Sequence, residues 1–203
     1  MSCLCKTTFQ DIEANRQTEV FVAQLYLLDH PEVCRGKTVL DLGCGCGASS
    51  IAAKLSSAAH VVANDIDTEA GQLILEEKEL NTSFCVKVAA VATHMNSELN
   101  GLEPPVCLTD NMIGSQPEGF DLILLGDMFY DEALATSLHS WLDCCIENHG
   151  TKVLIGDPGR AQFEEHGIRR LLRQLAQFEL PESVRAENYG LTCSSVWCYR
   201  PEL

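Results

Sequence analysis

The sequence predicts an α/β fold, a largely parallel sheet with helices on both faces, and three features predict it. Short runs rich in branched apolar residues, among them KTVLDL, HVVAND, FDLILLGD and TKVLIGDPG, alternate with segments of helical period. That alternation is the pattern of consecutive βαβ units. The runs end on acids or other polar residues, so the polar groups collect along one edge of the sheet, where ligands of such folds bind. The first run opens into Gly43, Gly45 and Gly47, a loop that can turn tightly between a strand and a helix.

Taken in order, Phe21, Leu25 and Leu28 fall at i, i+4 and i+7 and place EVFVAQLYLLDH on an amphipathic helix that Pro31 ends. Lys37 to Leu42 reads as a buried strand, Ala48 to Ala58 as a helix, and HVVAND from His60 as the second strand. TEAGQLILEEKELN, after Asp67, has acids in its opening turn and reads as a helix. VCLTDN reads as the third strand. About forty residues separate strands two and three, one helix more than a crossover of a dozen or more residues needs. FDLILLGD is the fourth strand, followed by a helix with Leu134, Leu138, Leu142 and Ile146 on one face. TKVLIGDPG is the fifth strand, FEEHGIRRLLRQLAQF a helix after it, and LTCSSVWCYR a strand that closes the sheet antiparallel.

The 203 residues fit one domain, 1–203, large enough to bury a full core. Acids outnumber bases 29 to 14, and the net charge of −15 argues against a nucleic-acid partner and suits a basic peptide or protein. Eleven cysteines, an odd number, read as free thiols in a reducing compartment. The close pairs Cys3/Cys5, Cys44/Cys46 and Cys144/Cys145 lack the two-residue gap of a zinc knuckle, so no metal site is expected. Cys44 and Cys46 read as small fillers between the glycines. The first twenty residues match neither a secretory signal nor an arginine-rich transit peptide, and no stretch of 18 or more apolar residues reads as a membrane span. A soluble protein is expected.

The polar strand ends carry the chemistry. Strand one ends at Asp41 and the glycine loop, strand two at Asp65, strand three at Asp110 and Asn111, strand four at Asp127 and Tyr130, strand five at Asp157. Glycines let a ligand approach the backbone, and an acid about twenty residues onward suits the two hydroxyls of a ribose, which makes Asp65 the expected ribose acceptor. Gly43, Gly45 and Ala48 also satisfy the dinucleotide pattern G-x-G-x-x-G/A. Asp41 tips the reading. A carboxylate there repels a pyrophosphate but suits the cationic amino-acid end of S-adenosylmethionine. Asp110 or Asn111 would accept from the adenine amino group. The histidines are scattered with no nucleophile beside them, so a hydrolase triad has no support, and His139 and His149 read as surface residues.

VLDLGCGCGASSIAAKL, VVANDID, DLILLGDMFYDEALATSLHSWL, VLIGDPGRAQF and GLTCSSVWCYRPE resemble the seven-β-strand protein methyltransferases, and among them the lysine methyltransferases of the electron transfer flavoprotein beta subunit. The resemblance covers roughly residues 25 to 67 and 89 to 203, and GDMFYDE and IGDPGR are more specific than the glycine loop. It implies a Rossmann-like seven-stranded methyltransferase sheet with its last strand antiparallel. It also implies S-adenosyl-L-methionine as co-substrate, the flavoprotein beta subunit as protein substrate, and the mitochondrial matrix as location, with the cytoplasm as the alternative location. The family's D-x-x-Y element falls on Asp127 and Tyr130, implied as the catalytic pair. Methyl transfer needs a neutral amine held in line and kept from water. Asp127 would accept a hydrogen bond from that amine, while Tyr130 would wall the lysine channel and orient the nitrogen.

Two departures stand beside the resemblance. An aromatic-Pro-Gly-Gly segment precedes the first helix in the family, where this chain has EANRQTEVF, and residues from about 68 to 88 read as an insertion between strand two and its helix. They leave a second reading open, a methyltransferase fold acting as a non-catalytic binding module. A third, a nicotinamide-dependent oxidoreductase, is disfavoured by Asp41 and by the lack of room for a second domain.

Overall fold

The computed structural model describes residues 22–66, 88–116, 119–126, 128–180 and 191–199. The expected 68–81 helix, most of the expected insertion and the N-terminal departure lie outside them, as does Asp127.

Helix α1 (Val22–Asp29) stops before Pro31, whose ring begins a 3-10 turn over Pro31–Val33. β1 (Thr38–Leu42) follows, then α2 (Ala48–Leu55), β2 (His60–Asn64), α3 (Val88–Leu99), β3 (Val106–Leu108), β4 (Leu122–Leu125) and α4 (Glu132–His149). The chain continues through β5 (Lys152–Asp157), α5 (Ala161–Glu165), a 3-10 turn at Gly167–Leu171, β6 (Leu172–Glu179) and β7 (Cys193–Tyr199).

Among the described residues the sheet has seven strands, in the order β3-β2-β1-β4-β5-β7-β6. β1 pairs in parallel with β2 and β4, and β7 pairs antiparallel with both β5 and β6. The expected seven-stranded sheet with its last strand antiparallel is the one observed. Helices cover both faces. Leu40, Leu42, Ile123, Leu125, Val153 and Ile155 pack with Leu138, Trp141 and Leu142 of α4 on one side. Val39, Val61, Leu122, Leu124 and Leu154 pack with Leu27 of α1 and with Ala52 and Ala53 of α2 on the other. Because the central strands are buried on both faces, they read as continuous apolar runs rather than alternating ones.

Helix α4 shows how local signals set boundaries. Asp131 caps it by accepting from the Leu134 amide at 2.8 Å, and Gly150, at φ 65°, ends it with an amide donated to Ile146.

The helix expected over residues 163–178 is not formed as read. α5 ends at Glu165, and LRQLAQFE is strand β6, paired with β7. A bulge between Gln174 and Ala176 breaks the alternation by which a strand is read: the half-buried positions are 172, 175, 176 and 178, with Leu172 packed on one face of the sheet and Ala176 and Phe178 on the other. Pairing with β7 overrides the helical preference of Leu, Arg, Gln and Ala. In α1 the most buried residues are Gln24 and Leu27 rather than Leu25 and Leu28, because that helix packs both on α2 and on strands β5, β7 and β6, and Gln24 donates to Ser49 Oγ at 2.6 Å. His139 is half-buried rather than on the surface, its Nε2 lying 2.9 Å from the Tyr199 hydroxyl, which itself donates to Asp143. His149 is exposed.

Candidate active site

The strand order reverses on either side of β1, between β2 and β4, and a cleft of about 480 Å³ opens at that switch point, beyond the carboxyl ends of the strands. It is lined by Leu42 and Gly43 at the end of β1, by Asn64, Asp65 and Ile66 after β2, by Asn111 and Ile113 after β3, and by Met128, Tyr130 and the first turns of α4. Its size is that of a small-molecule site, apolar with few convergent polar groups.

The three glycines of the loop all have positive φ: 70° at Gly43, 51° at Gly45 and 82° at Gly47. Two of them are also places of close approach. A Cβ on Gly43 would stand 2.8 Å from Met128 Sδ, and one on Gly47 would stand 2.6 Å from Thr93 Cγ2. The Gly45 amide donates to Asp65 Oδ2 at 2.8 Å, which ties the loop after β1 to the acid after β2. From α3, Thr93 Oγ1 donates to the Gly45 carbonyl at 3.3 Å and Asn96 Nδ2 to the Cys46 carbonyl at 2.9 Å. Asn64 Nδ2 bridges to the carbonyls of Leu108 and Asp110, at 3.0 and 2.9 Å, joining the loops after β2 and β3. Asn111 Oδ1 accepts from the Ile113 amide at 3.0 Å in a tight turn, which sets Ile113 at the cleft wall.

Of the residues singled out from sequence, Gly43, Asp65, Asn111 and Tyr130 meet at this cleft. Tyr130 is 64% exposed and is therefore no core residue. Gly45 and Gly47 shape the loop without lining the cleft. The Asp110 side chain is exposed and outside the lining; its carbonyl serves as an acceptor for Asn64.

Asp41 is placed differently from the expectation of a carboxylate presented to the ligand. It is 2% exposed, lies beneath the loop, and accepts from Ser50 Oγ at 2.7 Å, outside the cleft lining. Burial raises its pKa from the ordinary range to about 6, opposed by the Ser50 hydrogen bonds and assisted by the charge of Asp65. Cys44 is buried with its Sγ 3.7 Å from Thr93 Oγ1, and burial together with Asp41 pushes its thiol well up, so it stays neutral. Both observations fit the reading of Cys44 as a filler. Cys46 is half-buried and contributes a carbonyl.

Sequence patterns do not single out Asn64, Thr93, Asn96, Ile113 or Met128. Asn64, Thr93, Asn96 and Met128 act through neighbours distant in the chain, and Ile113 is placed by Asn111 two residues before it; the polar residues on one face of VAAVATHMNSEL, Thr93 and Asn96 at i, i+3, are a signal for those two alone.

A family model described as lysine methyltransferase matches residues 13–174. The chain belongs to the lysine methyltransferase family. It is 62% identical over 174 residues to the electron transfer flavoprotein beta subunit lysine methyltransferase of Danio rerio, which covers 86% of this chain and 60% of that relative. To the protein of the same name from Homo sapiens it is 48% identical over 176 residues, 87% of this chain and 60% of the relative. A homolog from Caenorhabditis elegans is 32% identical over 178 residues, covering 85% and 71%. The chain thus spans about 60% of the length of the fish and human relatives. Among solved structures, ribosomal protein L11 methylase from Lactobacillus delbrueckii subsp. bulgaricus matches with a TM-score of 0.56 at 17% identity, over 90% of this chain and 79% of that one. Magnesium protoporphyrin IX methyltransferase from Synechocystis PCC 6803, solved with bound SAM, matches with a TM-score of 0.57 at 16% identity, over 95% and 83%. These two likenesses establish a methyltransferase-type fold for this family member.

Proposed function

We propose that the chain transfers methyl groups from S-adenosyl-L-methionine to lysine amines of a protein, with the electron transfer flavoprotein beta subunit as the target. One observation carries the reading: Asp65, braced by the Gly45 amide, lines the switch-point cleft together with Met128 and Tyr130. The cleft's residues fit a nucleoside-bearing donor. An anchored carboxylate at the wall suits adjacent hydroxyls, Ile66 and Ile113 offer apolar faces to a flat base, and Gly43 lets a ligand lie against bare backbone. Asn111, with Asp110 beside it, is the proposed partner of the base's amino group. Asp41 contributes by holding Ser50 and the base of the loop, and Gly45 and Gly47 by letting the loop turn.

When bound, the donor would supply a methyl on a sulfonium: a neutral lysine amine would attack that carbon, the carbon–sulfur electron pair would leave with the sulfur as a thioether, and the methylated ammonium would release its proton to solvent. The chain's own residues position and shield. Tyr130, exposed at the mouth, orients the amine with its hydroxyl and screens it with its ring. Asp127, by the family's D-x-x-Y pattern, accepts from the amine. Met128 and Leu134 exclude water from the transfer path. The acidic balance of the chain, 29 to 14, suits a lysine-bearing target. The names of the fish and human relatives support the flavoprotein as target, and the resemblance supports a mitochondrial matrix location.

The test is to incubate the chain with labelled S-adenosylmethionine and the flavoprotein beta subunit, locate methyl groups by mass spectrometry, and measure donor binding by calorimetry. Methyl on lysine supports the reading. Donor binding without methylation of that subunit removes the target, and absence of donor binding leaves a binding module in place of an enzyme.

A further inference from the structure

Three consecutive residues after β4 leave the backbone toward three different places. Met128 lies over the glycine loop, so close that a Cβ on Gly43 would stand 2.8 Å from its Sδ. Phe129 is fully buried, in edge-on contact with Phe163 of α5 at 5.1 Å between ring centroids and 6.1 Å from the His166 ring. Tyr130 turns outward, 64% exposed, and shares the cleft wall with Met128. Phe163 is itself fully buried and packs on Trp197 of β7 at 6.1 Å.

Among the described residues, the hydrogen bonds nearest to this stretch are a tight turn, in which the Met128 amide donates to the Gly126 carbonyl at 2.8 Å, and the cap at Asp131, whose carboxylate accepts from the Leu134 amide. Neither grips the stretch from the inside. The Phe129 ring does, and what it grips comes from the element after β5. A displacement of Phe129 carries both neighbours with it, since they flank it on the same short span. Misplacement by 1 Å can reduce turnover about a hundredfold.

We propose that Phe163 is a positioning residue for the transfer: by clamping Phe129 it fixes Met128 against Gly43 and Tyr130 at the mouth of the cleft, although Phe163 lines no part of that cleft. The proposal rests on the cleft being a methyl-transfer site, and it gives the IGDPGRAQF motif a role at a distance from the donor.

The test uses Phe163→Leu and Phe163→Ala in the full chain, labelled with ¹³C at the methionine methyl groups. The chain has four methionines, and Met128→Leu assigns the Met128 signal. In Phe163→Leu the Met128 signal is expected to shift or split while that of Met95, on α3, stays in place. Turnover at saturating donor should fall on the order of ten- to a hundredfold, with the donor dissociation constant within about twofold of the parent. Combined with Tyr130→Phe, the loss should be smaller than the product of the two single losses, as for residues acting through one another. An unmoved Met128 signal overturns the proposal, as do unchanged turnover and strictly multiplicative losses. If Phe163→Ala does not fold, Phe163→Leu carries the test. If the parent chain transfers no methyl, the functional reading fails, and the methionine spectra alone decide whether Phe163 holds the Met128 segment.

Discussion

The Gly45 amide donates to Asp65 Oδ2 at 2.8 Å, across 20 residues of sequence, and so makes the strand-one loop and the strand-two acid a single unit. Replacing Asp65 by Ala removes both the proposed ribose acceptor and the brace. Donor binding should weaken by about 1–3 kcal/mol, the value of hydrogen bonds to a charged group. Asp65→Asn should recover part of the loss, since an amide oxygen still accepts from Gly45. Calorimetry giving the parent affinity for Asp65→Ala would remove Asp65 from the donor site.

Gly43 and Gly47 share positive φ but meet different neighbours, which orders the effects of alanine at each. Left-handed backbone costs a residue with a Cβ about 1–2 kcal/mol at either position. At Gly47 the new atom also meets Thr93, branched at Cβ and stiff on its helix, whereas at Gly43 it meets the end of a flexible methionine. Gly47→Ala should therefore destabilise by about 1–3 kcal/mol more than Gly43→Ala in urea unfolding. Equal losses would show that Thr93 gives way as easily as Met128.

Asp41 leads to a pH dependence with a definite sign. Its folded pKa, about 6, lies above the ordinary 3.8, so the folded state binds the proton more tightly than the unfolded one. The group favours folding most below pH 4, and that contribution is lost as pH rises through about 6, a penalty on the order of 3 kcal/mol at pH 7. In Asp41→Asn this titration is absent. The stability of the variant relative to the parent should thus be highest at pH 7 and fall by pH 4.5. A difference that stays constant over that range would mean the Asp41 carboxyl is not raised.

Tyr130 should separate function from stability. Because the side chain is 64% exposed, Tyr130→Phe should leave unfolding free energy within about 0.5 kcal/mol of the parent. Turnover on the protein substrate should nevertheless fall on the order of ten- to a hundredfold through loss of the orienting hydroxyl. Steady-state kinetics with turnover untouched in both Tyr130→Phe and Asp127→Asn would take the catalytic roles away from this pair.

Much of this molecule was legible from short-range signals. The alternation of branched apolar runs with helical segments indicates a parallel sheet, because each pattern reports which faces of its own element are buried. Gly43, Gly45 and Gly47 announce a loop of positive φ since few other residues adopt it without strain. Asp65 and Asn111 reach the cleft because strand ends in such a sheet share one edge, so position along the strand is enough to place them.

What the tertiary structure decided depends on contacts between residues far apart in the chain. LRQLAQFE is a strand only because β7 lies beside it, and a bulge hides its alternation. Asp41 sits beneath the loop rather than in the cleft because Ser50, nine residues on, turns its hydroxyl inward to meet it. Thr93 and Asn96 come to the glycine loop from α3, and Phe163 reaches Phe129 from beyond β5. Local sequence sets the conformation each segment prefers and the face it must bury. Which side chain then meets which is settled only when all the elements pack at once, since close packing leaves few ways to fill the same space.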